Sequence, residues 1–247
     1  MPFEPYDAAL FEALASVEPE SFWFRARNRL IVSTLRRHFP EGRSLLEVGC
    51  GTGFVLEALR EAFPDWRLVG CEVYEAGLQV ARARLSGVEL VQADARALPW
   101  RDELDVVGAF DVLEHVEEDE AVLAEMHAAS RQGIILLVPQ HPRLWSAMDD
   151  VAHHVRRYSR RDLVAKVRTA GFRVEQATSF VSSLLPAMVL SRVARRVSAK
   201  SYDPVAELQP GRLNGVFERI LDGERRLIER GVSLPAGGSL LIVGRKL

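Results

Sequence analysis

Two periods govern where hydrophobic residues fall along this chain. Over 44–48, 67–73, 88–94, 103–112 and 133–139 they form short apolar runs bounded by glycine, proline or acidic residues, and Gly133-Ile-Ile-Leu-Leu-Val-Pro139 has no polar interruption. Such runs predict strands buried on both faces. Between them the spacing opens to three and four residues, predicting helices over 54–63, 75–85 and 119–130, with two more ahead of them over 5–17 and 21–39. Strand and helix thus alternate strictly, the pattern of a parallel, doubly wound sheet. Ser159 and Asp162 read as a capping box opening a further helix that Gly171 ends, and 172–181 and 238–247 supply two closing strands.

Two segments stand outside this alternation. In 21–39, Phe22, Trp23, Leu30, Ile31 and Leu35 share a face, while Arg25, Arg27, Arg29, Arg36 and Arg37 are expected mostly in solvent. The insertion 182–235 predicts helices, with Leu213, Val216, Phe217, Ile220, Leu221, Leu227 and Ile228 as a stripe that packs on the sheet or caps it. Its first part, 184–200, sets Leu185, Val189, Val193 and Val197 beside Arg192, Arg195, Arg196 and Lys200. That basic amphipathic pattern has two readings, packing over the active site or transient contact with a membrane carrying a lipid-linked acceptor.

Composition narrows the class. With 247 residues, 48% hydrophobic and 27% charged, the chain suits one large α/β domain with a modest appendage. A net charge of −2 argues against sequence-independent nucleic-acid binding, which needs a basic field. The start, Met-Pro-Phe-Glu-Pro-Tyr-Asp, lacks the basic and apolar regions of a secretory signal, and no stretch is long and apolar enough to insert stably in a membrane. Cys50 and Cys71 have no metal-ligand spacing around them, so no metal is expected, and both are expected to be reduced thiols of a cytoplasmic protein.

The chemistry concentrates where strand 44–48 meets the next helix. Gly49, Gly51 and Gly53 allow a sharp turn against a ligand, and strand, glycine loop and helix N-terminus form a nucleotide-type binding unit at the carboxyl edge of such a sheet. A dinucleotide fingerprint would want its third glycine at 54, which is Phe54. That disfavours a nicotinamide-dependent oxidoreductase. Glu72, at the tip of the second strand, is placed to accept hydrogen bonds from both ribose hydroxyls of an adenosine cofactor, with Val73 beside the adenine.

Leu-Leu-Glu47-Val-Gly49-Cys50-Gly51-Thr-Gly53 resembles the signature of the class I S-adenosylmethionine-dependent methyltransferases, and Phe110-Asp111-Val-Leu-Glu-His115-Val resembles the post-strand segment of the family's small-molecule branch. The resemblance, from about residue 44 to 172, implies a seven-stranded, mostly parallel sheet of order 3-2-1-4-5-7-6 with the last-added strand antiparallel. It implies S-adenosylmethionine as cofactor and S-adenosylhomocysteine as product, and it assigns Asp94 and Ala95 to the adenine and Phe110, Asp111 and His115 to the methionine end. The family's N-terminal helices commonly lie over cofactor and substrate, so Trp23 and Arg25 are candidate lid residues. The expected organisation is a single domain over 1–247, with a helical lid (1–43), a cofactor-binding core (44–181), a helical cap (182–235) and a final strand (236–247).

The loop after the fifth strand should choose the acceptor, because loops at the carboxyl ends of strands carry the chemistry of such sheets. It brings together His141, Asp149, Asp150, His153, His154 and Tyr158. An oxygen acceptor must lose a proton, which makes His154 the first candidate base and His115 the second; an ordinary hydrogen-bonded loop residue is the alternative for His154. Arg156, Arg157, Arg160 and Arg161 are either solvated or placed to pair with an acidic acceptor. The expectation is methylation of a small molecule at an oxygen, with a nitrogen as second choice, acidic or lipid-linked acceptors being its specific forms. Its rival from another class is a non-catalytic partner subunit that keeps the cofactor site.

Overall fold

The computed structural model describes residues 8–196 and 211–247. Seven strands form one sheet: β1 (Ser44–Val48), β2 (Arg67–Glu72), β3 (Glu89–Gln92), β4 (Leu104–Phe110), β5 (Ser130–Pro139), β6 (Phe172–Phe180) and β7 (Ser239–Lys246). Their order is β3-β2-β1-β4-β5-β7-β6, parallel except for β7, which runs antiparallel between β5 and β6. The expected order and orientation are therefore those of the molecule.

Side-chain alternation explains the unbroken apolar runs. Leu45, Val106, Ile135 and Leu137 point into one core; Leu46, Val107, Ile134, Leu136 and Val138 point into the other. Each strand must be apolar on both faces because helices cover both. The first core is closed by α2 (Phe22–His38), α3 (Phe54–Ala62) and α4 (Glu75–Arg84). The second is closed by α5 (Asp119–Ala129) and α7 (Arg160–Thr169), which follows the short α6 (Ala147–Val151). Each fully buried Leu or Ile contributes about 1.5–3 kcal/mol, so this double packing fixes the sheet that positions every strand end. The third strand is shorter than its apolar pattern because it pairs only with β2 and is half exposed.

The N-terminal helix α1 (Ala8–Val17) packs on α4. Residues 5–7 of the predicted helix lie outside the described residues. The insertion gives α8 (Leu185–Arg196) and α9 (Asn214–Glu229), and α9 packs on α2. Their contact combines packing of Phe22 on Phe217 and of buried Leu221 and Ile228 with ion pairs: Arg25 and Arg29 pair with Glu218, and Arg29 with Asp222. Leu221 and Ile228 are buried, but Leu213, Val216 and Leu227 are exposed, so only part of the expected apolar stripe packs inward. The basic half of the 184–200 pattern, including Arg192, Arg195, Arg196 and Lys200, lies outside the side chains described.

Candidate active site

The glycine turn is built by main-chain geometry. Gly49, Gly51 and Gly53 all have positive φ, at 66°, 49° and 78°. A β-carbon on Gly49 would stand 2.6 Å from Val112 Cγ2, so both conformation and space exclude a side chain there. Glu72 faces this turn and organises it: its carboxylate accepts hydrogen bonds from the backbone N–H of Gly51 (3.0 Å), Val73 (2.8 Å) and Tyr74 (3.1 Å). Burial pushes the Glu72 carboxyl up, opposed by those three donors. The stem of Glu72 and the ring of Phe11 both lie against Gly77, where an added β-carbon would meet them at 3.2 and 3.0 Å. So α1 lies over the Glu72 end of the turn.

A polar clamp holds that helix down. Glu18 accepts a hydrogen bond from Thr52 Oγ1 (2.6 Å) and pairs with Arg84 (2.7 Å), which also donates to the Thr52 carbonyl (3.2 Å) and the Ala15 carbonyl (3.1 Å). Phe11, Glu18 and Arg84 escaped the sequence reading because no periodicity or motif links α1 and the turn after it to α4, which they meet only in the fold.

Glu47 is buried in β1, and its Oε2 has no protein partner. Burial holds its carboxyl well above the usual range, opposed by Arg27. Cys50 donates its backbone N–H to the Cys71 carbonyl (2.9 Å), so its place in the turn is structural. Both thiols are free and buried; burial pushes Cys71 up to about 12, which makes it unreactive. Asp94 is engaged by Arg96, through Nε to Oδ1 (3.0 Å) and Nη2 to Oδ2 (2.7 Å), and this pairing keeps it ionised despite some desolvation. Ala95 packs on the second core beside buried Leu98 and Trp100, so Trp100 is a core residue.

The N-terminal arginines sort differently from expectation. Arg27, expected in solvent, is buried and donates to Asp111 Oδ2 (2.8 Å) while its guanidinium carbon lies 4.9 Å from the Trp23 ring centroid. Trp23 therefore reaches the ligand edge through Arg27. Arg25 does not reach it: its guanidinium is turned to Glu218 and the Pro19 carbonyl, one residue-face round the helix. The signal for Arg27 was its i, i+4 spacing from Trp23 on the face that carries Leu30 and Ile31. Asp111 itself adopts φ 58° and donates its N–H to the Leu137 carbonyl, at the end of β4, while Phe110 packs into the first core.

Two loops meet beyond β4 and β5. Glu114 and His115 lie on a single 3-10 turn, Leu113–His115, and His154 follows α6. The His115 and His154 rings meet edge-on with centroids 4.7 Å apart. His154 Nδ1 stands 2.9 Å from Asp149 Oδ1. Arg157 (2.6 Å to Oδ1) and Ser146 also bond Asp149, whose carboxyl these partners hold far below the usual range despite its burial. An ionised Asp149 accepts, so the His154 hydrogen sits on Nδ1 and the basic lone pair is on Nε2. Burial, helped by His154, lowers the His115 pKa to about 3, against a hydrogen bond to the Ala152 backbone. Glu114 is fully buried with both carboxylate oxygens lacking a partner; burial and then Asp111 raise its pKa well above normal.

The remaining loop residues are elsewhere. Tyr158 is not a pocket residue: it is fully buried, its hydroxyl donating to Asp119 Oδ2 (2.7 Å). His153 and Asp150 are exposed, and Asp150 accepts from Trp145 Nε1 (2.7 Å). His141 takes a positive φ of 64°. Of the arginine cluster, Arg157 is buried on Asp149, Arg156 pairs with Asp119, and Arg160 bonds Ser179 and the Leu234 carbonyl. Only Arg161 is exposed, so the cluster gives an acidic acceptor little to bind.

A doubly wound sheet of this order, with a three-glycine turn faced by an acid at the tip of β2, defines the class I S-adenosylmethionine-dependent methyltransferases. Residues 46–138 match the family described as Methyltransferase domain. Over 63% of its length the chain is 31% identical to a Mycolicibacterium smegmatis protein named as an S-adenosylmethionine-dependent methyltransferase, covering 61% of that protein. Over 47% it is 32% identical to a Stutzerimonas stutzeri ubiquinone biosynthesis O-methyltransferase, covering 54% of it. The fold is shared with a Haemonchus contortus phosphoethanolamine N-methyltransferase solved with S-adenosylhomocysteine, at a TM-score of 0.64 and 14% identity, over 98% of this chain and 58% of that one. The match shows a methyltransferase domain over residues 46–138, and the chain spans less than two thirds of the length of these curated relatives.

Proposed function

We propose that the protein methylates an oxygen of a small acceptor. The observation that carries this is the placement of the Asp149–His154 pair and His115 at the same sheet edge as the Gly49–Gly53 turn and Glu72. S-adenosylmethionine supplies a methyl group already activated on a sulfonium. Glu47, Gly49, Cys50, Gly51 and Gly53 shape its bed; Glu72 and Val73 take the ribose and adenine edge; Asp94 and Ala95 take the adenine; Phe110, Asp111, His115, Trp23 and Arg27 border the methionine end. Arg27 and Arg96 neutralise Asp111 and Asp94 in the structure described, so each acid exchanges or shares its arginine when it meets the cofactor.

The chain's part in the transfer is alignment, which supplies most of the acceleration in a displacement of this kind. The acceptor O–H bond breaks as the new O–CH3 bond forms, and the proton passes to His154 Nε2, with Asp149 holding the ring. His115, with its pKa near 3, stays neutral and acts by hydrogen bonding. An oxygen acceptor also accords with the name of the Stutzerimonas relative. The test is His154→Ala assayed over a panel of hydroxylated acceptors: turnover should fall while S-adenosylhomocysteine binding holds.

A lipid-linked acceptor is favoured by one observation, the exposure of Val189, Leu190, Leu213 and Val216 on the cap helices. Cosedimentation with anionic vesicles, weakened by salt, tests it. Among the described residues no helix is long and apolar enough to cross a membrane. The free, buried thiols support a cytoplasmic location.

A further inference from the structure

Glu114, His115 and His154 each offer a ligand atom, and the three atoms lie within 4.8 Å of one another. Sequence spacing gave no sign of this, because the third member comes from a loop 39 residues past the second (154 − 115). We propose that these three side chains form a binding site for a divalent cation of the zinc type, where the segments after β4 and β5 meet. Two histidines and one glutamate are a donor set that zinc accepts with a further position left open.

Three independent features point the same way. Glu114 is fully buried with both carboxylate oxygens lacking any protein partner. A buried carboxylate normally has partners, and here the ligand atoms of two imidazoles lie within 4.8 Å of its own. Each histidine is also held from behind: His154 by the Asp149 carboxylate through Nδ1, and His115 by the Ala152 backbone. Outer contacts of this kind orient metal-ligating histidines and fix their tautomers. Finally, neither histidine is sealed from solvent, the His154 side chain keeping 12% of its surface exposed.

The fit requires a small adjustment. Bonds of about 2.1 Å in a tetrahedral site set donors about 3.4 Å apart, so the three side chains close by roughly 1 Å around the ion. Among the described residues, no other group of His, Cys, Asp and Glu side chains matches this. Cys50 and Cys71 are buried thiols, and the groove between α2, α3 and α9 sets Arg25, Arg29, Arg36 and Arg225 against Glu57, Glu61 and Glu229, a surplus of arginine that does not suit a cation.

The inference rests on placing the acceptor beside His154, and it changes that residue's task from base to ligand. A hydroxyl bound to the cation loses its proton more readily, which then leaves to solvent base. The test is titration of chelator-treated protein with Co2+, followed by visible absorption, and with Zn2+ by calorimetry, in parallel with S-adenosylhomocysteine. One equivalent of Co2+ with a tetrahedral spectrum is expected. His154→Ala and Glu114→Gln should weaken it at least about tenfold, Asp149→Asn about 10–100-fold, and His127→Ala not at all. Glu114→Gln can unfold a buried site, so the half-buried His154→Ala carries the decision. Folded wild type that binds S-adenosylhomocysteine but no Co2+ or Zn2+, or His154→Ala that binds Co2+ as well as wild type, overturns the proposal. Loss of S-adenosylhomocysteine binding alone would instead strike at the functional reading.

Discussion

The two halves of the sheet edge are built on different principles. On the β1–β2 side, the ligand bed is main chain: three left-handed glycines and three backbone N–H groups gathered by Glu72. On the β4–β5 side it is side chain, an ensemble of Arg27, Asp111, Glu114, His115, Asp149, His154 and Arg157 drawn from segments far apart. On the proposed reading, the first half presents one fixed geometry to the cofactor, and the second presents exchangeable groups to the acceptor.

If the halves are separable, a change in one should leave the other alone. The largest effect is expected from His154→Ala, which should lower turnover about 10²–10⁴-fold with cofactor affinity unchanged in calorimetry. A matching fall in affinity would break the comparison. Glu72→Ala should do the reverse: loss of hydrogen bonds to a charged group, each worth about 1.5–3 kcal/mol, should weaken S-adenosylhomocysteine roughly 100-fold or more. The fold itself should survive, as thermal melting would show.

A smaller effect concerns the base of the acceptor half. Asp119 is buried beneath Tyr158, Lys166 and Arg156; burial raises its pKa, but those partners outweigh it and hold the carboxyl below its ordinary value. A depressed folded pKa means stability that is present above the unfolded value and lost as pH falls through the folded one. Denaturant melts should therefore show a loss below about pH 4 that is reduced in Asp119→Asn, itself destabilised by about 1–3 kcal/mol at neutral pH. The smallest effect is Arg25→Ala. Its pair with Glu218 is partly exposed, so its removal should cost under about 1 kcal/mol and leave cofactor binding untouched, sharpening the distinction between Arg25 and its neighbour Arg27.

The same contrast explains what the chain reveals before folding. The glycine turn is contiguous, and strict alternation of strands and helices delivers Glu72 and Asp94 to one edge, so that edge is legible from spacing, while the cofactor assigned to it comes from the resemblance of the glycine motif. Long-range pairs have no such signal. Arg27 looks like any arginine of a surface helix until Asp111 is placed beside it, and Tyr158 looks like a loop residue until Asp119 receives its hydroxyl. The cap shows the opposite error: Leu213, Val216 and Leu227 keep helical period with the buried Leu221 and Ile228 yet stay exposed, because periodicity records a face and not its partner.

The most direct measurement is calorimetric titration of the purified protein and of Glu72→Ala with S-adenosylhomocysteine, with NAD as control. Binding of S-adenosylhomocysteine to the wild type, its loss in Glu72→Ala and silence toward NAD are the predicted result. A wild type silent toward S-adenosylhomocysteine, or a Glu72→Ala protein that binds it undiminished, would contradict the account.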